Sequence, residues 1–256
     1  MALKRFAFRT EYEGTAYCGF QLQPDQPTIQ EAIEKAFLAL YQLDIRIVGS
    51  GRTDSGVHAA GQIFHADLPD KIPCHKLGMA LNSYLPEDIR IIGVSRVDDT
   101  FHARFDAVSR RYTYRIFNGI TVLKRRFAWQ IYQSLDVSAM KQCLPVISGE
   151  HDFTSFCLSQ TETENKKCDI QTAGWHVIGS ELFFTVQANR FLHSMVRSLA
   201  GTMVEVGKGR YTVEDFENIL KKHNHGSGAV TAPARGLVLE EVIYNPQITW
   251  QWSGVS

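Results

Sequence analysis

Arg52 and Asp54 stand two places apart in Gly49-Ser-Gly-Arg-Thr-Asp-Ser-Gly-Val-His58, a loop with three glycines that comes after a short apolar run. A backbone rich in glycine turns tightly and can present a guanidinium and a carboxylate together. A carboxylate held among cationic groups stays ionised, accepts hydrogen bonds only and keeps one orientation. Such a group suits a nucleophile better than a proton donor. The plainer reading is that Asp54 caps a turn, as Asp commonly does, and spacing alone favours it. A dinucleotide-binding turn is excluded. Counted from Gly49, the sixth place of G-x-G-x-x-G is Asp54, whose charge repels a pyrophosphate, and the residues after it read as loop and strand rather than helix.

Two further segments carry chemistry-bearing side chains. Arg110-Arg-Tyr-Thr-Tyr-Arg-Ile-Phe117 alternates as a strand, with Tyr112, Tyr114 and Ile116 on one face and Arg111, Thr113 and Arg115 on the other. Aromatics beside cations suit base stacking with phosphate contact, and a core-facing tyrosine strand with a wet basic side fits equally well. In 190–206, an apolar stripe of Phe191, Leu192, Met195, Val196, Leu199 and Met203 opposes Arg190, His193, Ser194, Arg197 and Gly201. Taken alone, Arg197 reads as a surface arginine. Gly201, one turn beyond it, leaves room for another backbone or a ligand. His58, His65, His102 and His193 form no metal-ligand pattern, and there is no H-E-x-x-H, paired Cys, G-x-S-x-G or Walker loop.

The elements that must position these groups are read from periodicity and punctuation. Strands are predicted at 5–12, 45–48, 61–67 and 89–97, with a helix opening at Thr28, where Glu31 stands at capping-box spacing. Ile29, Ile33, Ala36, Phe37 and Leu40 give that helix one apolar face. A short helix is predicted at 74–84. The second half repeats the rhythm: a strand at 106–117, a helix at 136–147, strands at 170–178 and 182–188, helices at 190–206 and 213–222, and a last strand at 237–244. Both halves read strand–helix–strand–strand–helix–strand, which implies two related α+β domains, 1–105 and 106–256.

Composition bounds the rest. The chain has 256 residues, 44% hydrophobic and 21% charged, ordinary for a globular protein and too long for a disulfide-stapled miniature. No apolar stretch is long enough to span a membrane. The first residues carry charges where a secretory signal needs its apolar segment. Five cysteines without a C-x-x-C pair point to free thiols in a reducing cytoplasm. Basic and acidic residues balance at 27 each, yet seven basic side chains lie from Arg104 to Arg126 against Asp106 alone. Such a stripe can neutralise phosphates whatever the net charge.

Gly51-Arg-Thr-Asp-Ser-Gly-Val-His58 resembles the catalytic-aspartate motif of the tRNA pseudouridine synthase A family. Phe101-His-Ala-Arg-Phe105, Arg110-Arg-Tyr-Thr-Tyr114, Phe191-Leu-His-Ser-Met-Val-Arg197 with Glu205-Val-Gly207, and Ala232-Pro-Ala-Arg-Gly-Leu237 come next in the family's order. Glu11-Tyr-Glu-Gly-Thr15 and Asp152-Phe-Thr-Ser-Phe156 agree as well. The resemblance implies the pseudouridine synthase fold, an α+β chain of two related α/β domains sharing a mixed, mainly antiparallel sheet with a central cleft. It implies an isomerase that converts uridine to pseudouridine at nucleotides 38, 39 and 40 of the tRNA anticodon stem-loop. No cofactor or metal is implied, and the partners are tRNA and a second copy of the chain in a cytoplasmic homodimer. On the same resemblance, Asp54 is the essential carboxylate, Arg52 holds the flipped nucleotide and its phosphate, and Tyr112 stacks on the target base and takes part in proton transfer. Arg197 pairs with Asp54, Leu237 walls the ring, and Arg110 and Arg111 belong to substrate binding. A non-catalytic tRNA-binding or folding factor on this scaffold is the alternative; a glycosidase that stops after cleavage is a third. Ser55 stands where the family usually has Ala, and Phe20 where Trp is usual, a change expected to touch surface detail only.

Overall fold

The computed structural model describes residues 3–158 and 164–254. Its main elements in chain order begin with β1 (Leu3–Tyr12), α1 (Ile29–Tyr41), β2 (Val48–Gly49), β3 (His58–Pro69), α2 (Cys74–Asn82) and β4 (Ile89–Arg96). Next come β5 (Ala107–Asn118), β6 (Trp129–Ile131), α3 (Val137–Gln142), α4 (Leu144–Ile147), β7 (Gly149–Asp152), β8 (Lys167–Ile178), β9 (Glu181–Ala188), α5 (Met195–Gly207) and α6 (Val213–Lys221). β10 (Leu237–Tyr244) and β11 (Trp252–Ser253) close the order. Two compact units result. One is Ser109–Val238; the other takes the chain up to Val108 and again from Leu239, so β5 and β10 each pass from one unit into the other. No helix among the described residues is long and apolar enough to cross a membrane.

In the first unit the strands run β11-β4-β1-β3-β10, with β2 beside β3. β1 is antiparallel to both β3 and β4. Helix α1 buries the predicted face at Ile29, Ile33, Ala36 and Phe37, while Leu40 is half-buried. Phe37 meets Phe8 of β1 edge-on at 5.5 Å, and Phe8 stacks on Phe64 of β3 at 4.8 Å, geometries that add to area burial. Thr28 caps the helix by accepting the N–H of Glu31 at 3.3 Å, but the Glu31 carboxylate pairs with Lys35, 2.6 Å away. The strand predicted at 45–48 is displaced to Val48–Gly49. The cause is Glu34, buried on α1, whose carboxylate takes the Ile47 N–H at 3.1 Å and the Arg46 guanidinium at 2.7 Å. That backbone donor is therefore spent on a side chain before a ladder can claim it.

His65 of β3 is buried, and its Nδ1 accepts the Ala103 N–H at 3.1 Å. Burial first, then the charges of Arg5 and His102, lower its pKa from 6.5 to about 4. Between those values the unfolded chain binds more protons than the folded one, so stability falls as pH drops through that window. Thermal melts at pH 7 and pH 5 should show a lower Tm at pH 5, with a smaller drop for His65→Asn, whose Oδ1 can accept the same bond without titrating. An equal drop in both proteins would contradict this assignment.

In the second unit the order is β5-β9-β8-β7, antiparallel throughout, with β6 added parallel to β5. The single helix predicted at 136–147 is two, α3 and α4. Pro145 offers no N–H to a preceding carbonyl and its ring crowds the turn before it, which interrupts the helix. Helix 190–206 likewise begins later, at Met195, because Ser194 sits in the left-handed region at φ 61°. Arg190 and His193 thus lie on the approach to α5. Thr212 and Asp215 close a full capping box on α6.

Candidate active site

The Asp54 loop is held from below by a buried polar network in the first unit. Thr53 is buried between exposed Arg52 and half-buried Asp54. Its hydroxyl lies 2.8 Å from the Tyr12 hydroxyl at the end of β1, and burial pushes the Tyr12 phenol well above its usual pKa, against the Thr53 and Gln62 bonds. Gln62 of β3 accepts from the Ser50 hydroxyl at 2.6 Å and the Ile63 N–H at 3.1 Å, and donates to the Gly51 carbonyl at 3.0 Å. The Thr53 carbonyl accepts the Phe20 N–H at 3.1 Å, and the Tyr17 carbonyl takes the Gly56 N–H at 3.2 Å. Asp54 opens a β-turn whose closing bond, from the Val57 N–H at 3.1 Å, falls on its backbone carbonyl. Gly56, at φ 75°, supplies the positive φ that the third residue of a type II turn requires.

Sequence reasoning missed this foundation. Its only sequence signal is the Glu11–Thr15 segment, which carries Tyr12. Phe20 also needs correcting: it is 3% exposed, with its ring tilted against Tyr12 at 6.4 Å, so the position belongs to the core under the loop rather than to the surface. Removing the Tyr12 hydroxyl leaves a buried Thr53 hydroxyl short of a partner. Tyr12→Phe is expected to cost about 1–3 kcal/mol, read as a lower urea midpoint with an unchanged slope.

In the second unit, Arg197 and Tyr114 bond to one segment, residues 230–237, which runs through a short helical turn at Ala234–Gly236 and ends on Leu237. The Arg197 Nε donates to the Ala232 carbonyl at 2.9 Å, and the Arg197 carbonyl accepts the Ala232 N–H at 3.1 Å. The Thr202 hydroxyl accepts the Val230 N–H at 3.0 Å, and the Ser198 and Thr231 hydroxyls lie 3.0 Å apart. Gly201 makes this approach possible, since a Cβ there would stand 2.1 Å from the Val230 carbonyl oxygen. The room read at Gly201 from sequence is thus taken by backbone. At the other end of the segment, the Tyr114 hydroxyl donates to the Pro233 carbonyl at 2.7 Å, and Leu237 comes after it, 5% exposed.

Tyr112, Tyr114 and Ile116 form the buried face of β5, at 9%, 0% and 0% exposure. Tyr112 meets Phe191 edge-on at 5.2 Å. Arg110 and Arg111 are half-buried, and Arg110 donates to the Asn189 carbonyl at 2.9 Å. Among the described residues, no group of three or more His, Cys, Asp or Glu side chains is arranged to hold a metal.

The backbone under Asp54 is thus fixed by its neighbours, and a carbonyl bond at Nε restrains the Arg197 guanidinium. A family model described as tRNA pseudouridine synthase matches residues 9–106 and 147–245. Proteins called tRNA pseudouridine synthase A align nearly end to end. That of Brevibacillus brevis is 43% identical over 94% of this chain and 100% of its own length. Those of Bacillus pumilus and Bacillus subtilis are 42% and 38% identical, each over 91% of this chain and 96% of the relative. The chain belongs to the tRNA pseudouridine synthase family.

Proposed function

We propose that this enzyme converts uridine to pseudouridine at nucleotides 38, 39 and 40 of the tRNA anticodon stem-loop, acting as a cytoplasmic homodimer with Asp54 as its nucleophile. The braced Asp54 loop, in a chain of this family, is the observation that carries the reading. The reaction breaks the N1–C1′ bond, turns the uracil and joins C5 to C1′. The proton displaced from C5 leaves to solvent and N1 takes one up, so atoms and charge balance without an oxidant.

Asp54 starts the sequence by attack on the sugar or on the ring. Arg197 pairs with Asp54 and keeps it anionic, a task its Nε tether suits because the guanidinium cannot drift. Arg52, exposed beside Asp54, takes the phosphate of the flipped nucleotide, with Arg110 and Arg111 adding positive charge. Tyr112 stacks on the base and assists proton transfer, and Leu237 walls the ring. Extruding the base costs a few kcal/mol, which stacking and cationic contacts offset.

The test is release of tritium from C5-labelled uridine in tRNA, with the modified nucleotides mapped afterwards. Release with pseudouridine at the three positions is expected. Binding without release would favour the tRNA-binding factor, and free uracil with an abasic site would favour a glycosidase.

A further inference from the structure

We propose that the turn 101–106 is a docking platform for an unpaired tRNA base, taken on the Phe105 ring, with Arg104 serving the adjoining phosphate. This rests on tRNA being the substrate and concerns a nucleotide other than the one isomerised. Phe105 is 75% exposed. Single exposed apolar residues are common; the unusual feature is how firmly this one is held out in water.

Ala103 is fully buried, its N–H given to His65 Nδ1 at 3.1 Å and its carbonyl accepting from the Tyr244 hydroxyl at 2.6 Å. The Phe101 carbonyl accepts from Arg5 at 2.9 Å. The Asp106 carboxylate takes the His102 N–H at 2.8 Å, and His102 Nδ1 takes the N–H groups of Arg104 and Phe105 at 3.2 and 3.3 Å. With its backbone so committed, the turn holds the Cα of Phe105 at the surface. The ring stacks on His102 at 4.3 Å, and the Arg104 guanidinium lies 5.7 Å from its centroid.

An aromatic ring among an imidazole, a guanidinium and a carboxylate is a poor seat for an apolar protein face, which needs contiguous apolar surface. It is a good seat for a base, whose π-face stacks while cationic side chains meet the phosphate. The place also fits. His65, which anchors the turn, is seven residues along β3 from His58 at the end of the Asp54 loop, roughly 23 Å at about 3.3 Å per residue. The platform therefore meets a nucleotide well removed from the reacting uridine.

The experiment compares wild type, Phe105→Ala and Phe105→Trp with full-length tRNA, measuring Kd by fluorescence anisotropy, KM and kcat by tritium release, and mass by sedimentation. Phe105→Ala is expected to raise Kd and KM about 5- to 150-fold, the equivalent of one lost base stack, with kcat within about twofold and Phe105→Trp restoring both. Unchanged Kd and KM beside normal wild-type turnover overturn the platform and leave the isomerase reading intact. No wild-type turnover, with tRNA binding still weakened by Phe105→Ala, supports the platform and sinks the isomerase. A changed mass with Kd unmoved overturns it in favour of contact with a second copy of the chain.

Discussion

Asp54→Asn is expected to lower tritium release from tRNA by about 10³-fold or more, some 4 kcal/mol of transition-state stabilisation, while Kd for tRNA stays within about threefold. Asn keeps the shape of Asp and loses the charge, so it cannot act as nucleophile or base. The loop should survive the exchange. Its turn closes on the residue-54 backbone carbonyl, and its foundation hangs on Thr53, Gly51 and Ser50. Single-turnover kinetics with saturating enzyme separates this from a folding defect, and an unaltered Tm is part of the expected result. Full activity in Asp54→Asn would remove the aspartate from the chemistry and require another group to begin the reaction.

The second large effect is expected at a residue with no side chain, one helical turn beyond Arg197 on α5. Gly201→Ala puts a methyl where only 2.1 Å separates it from the Val230 carbonyl oxygen. Backbone must yield by more than 1 Å, since both partners are main chain. The shift strains the bonds joining residues 230–232 to Thr202 and Arg197. Stability should fall by about 3 kcal/mol. Because Arg197 loses its Ala232 tether, kcat in the surviving folded enzyme should drop about 10²-fold, the usual consequence of a misplacement near 1 Å. Ser198→Ala, which removes one hydroxyl pair with Thr231 but adds no bulk, should cost under about 1 kcal/mol and leave kcat near wild type. If Gly201→Ala melts earlier with kcat unmoved, segment 230–237 is structural only.

These two variants mark the boundary of what the chain discloses by inspection. Local devices were readable because their partners lie within a helical turn. Thr28 caps α1, and the alternation of 110–117 becomes the buried Tyr112, Tyr114, Ile116 face, whereas the break at Pro145 lies inside what reads as a single helix at 136–147. The start of α5 was not readable, because nothing in Phe191-Leu-His-Ser194 announces a left-handed serine. Nor was the displacement of the 45–48 strand, which depends on a carboxylate from α1 that only folding brings near. The same holds for the site. Asp54 and Arg52 stand out in a glycine-rich motif, while their supports, Tyr12 and Gln62, are ordinary strand residues at positions 12 and 62 until the sheet places them beside the loop. Residues 230–237 carry no periodicity at all, yet they bond to α5 and β5 alike.

The double passage of the chain, at 108 to 109 and again at 238 to 239, has a consequence for how the protein is born. Ser109–Val238 is contiguous and can mature while still attached to the ribosome. The unit that carries Asp54 cannot, because β3 lacks its neighbour β10 until translation has moved about 170 residues further, on the order of 10 s at cellular elongation rates. For that interval one flank of a twelve-residue strand is bare and prone to mispairing. The nascent enzyme thus completes the half that carries Asp54 last, at the moment when chaperone protection matters most.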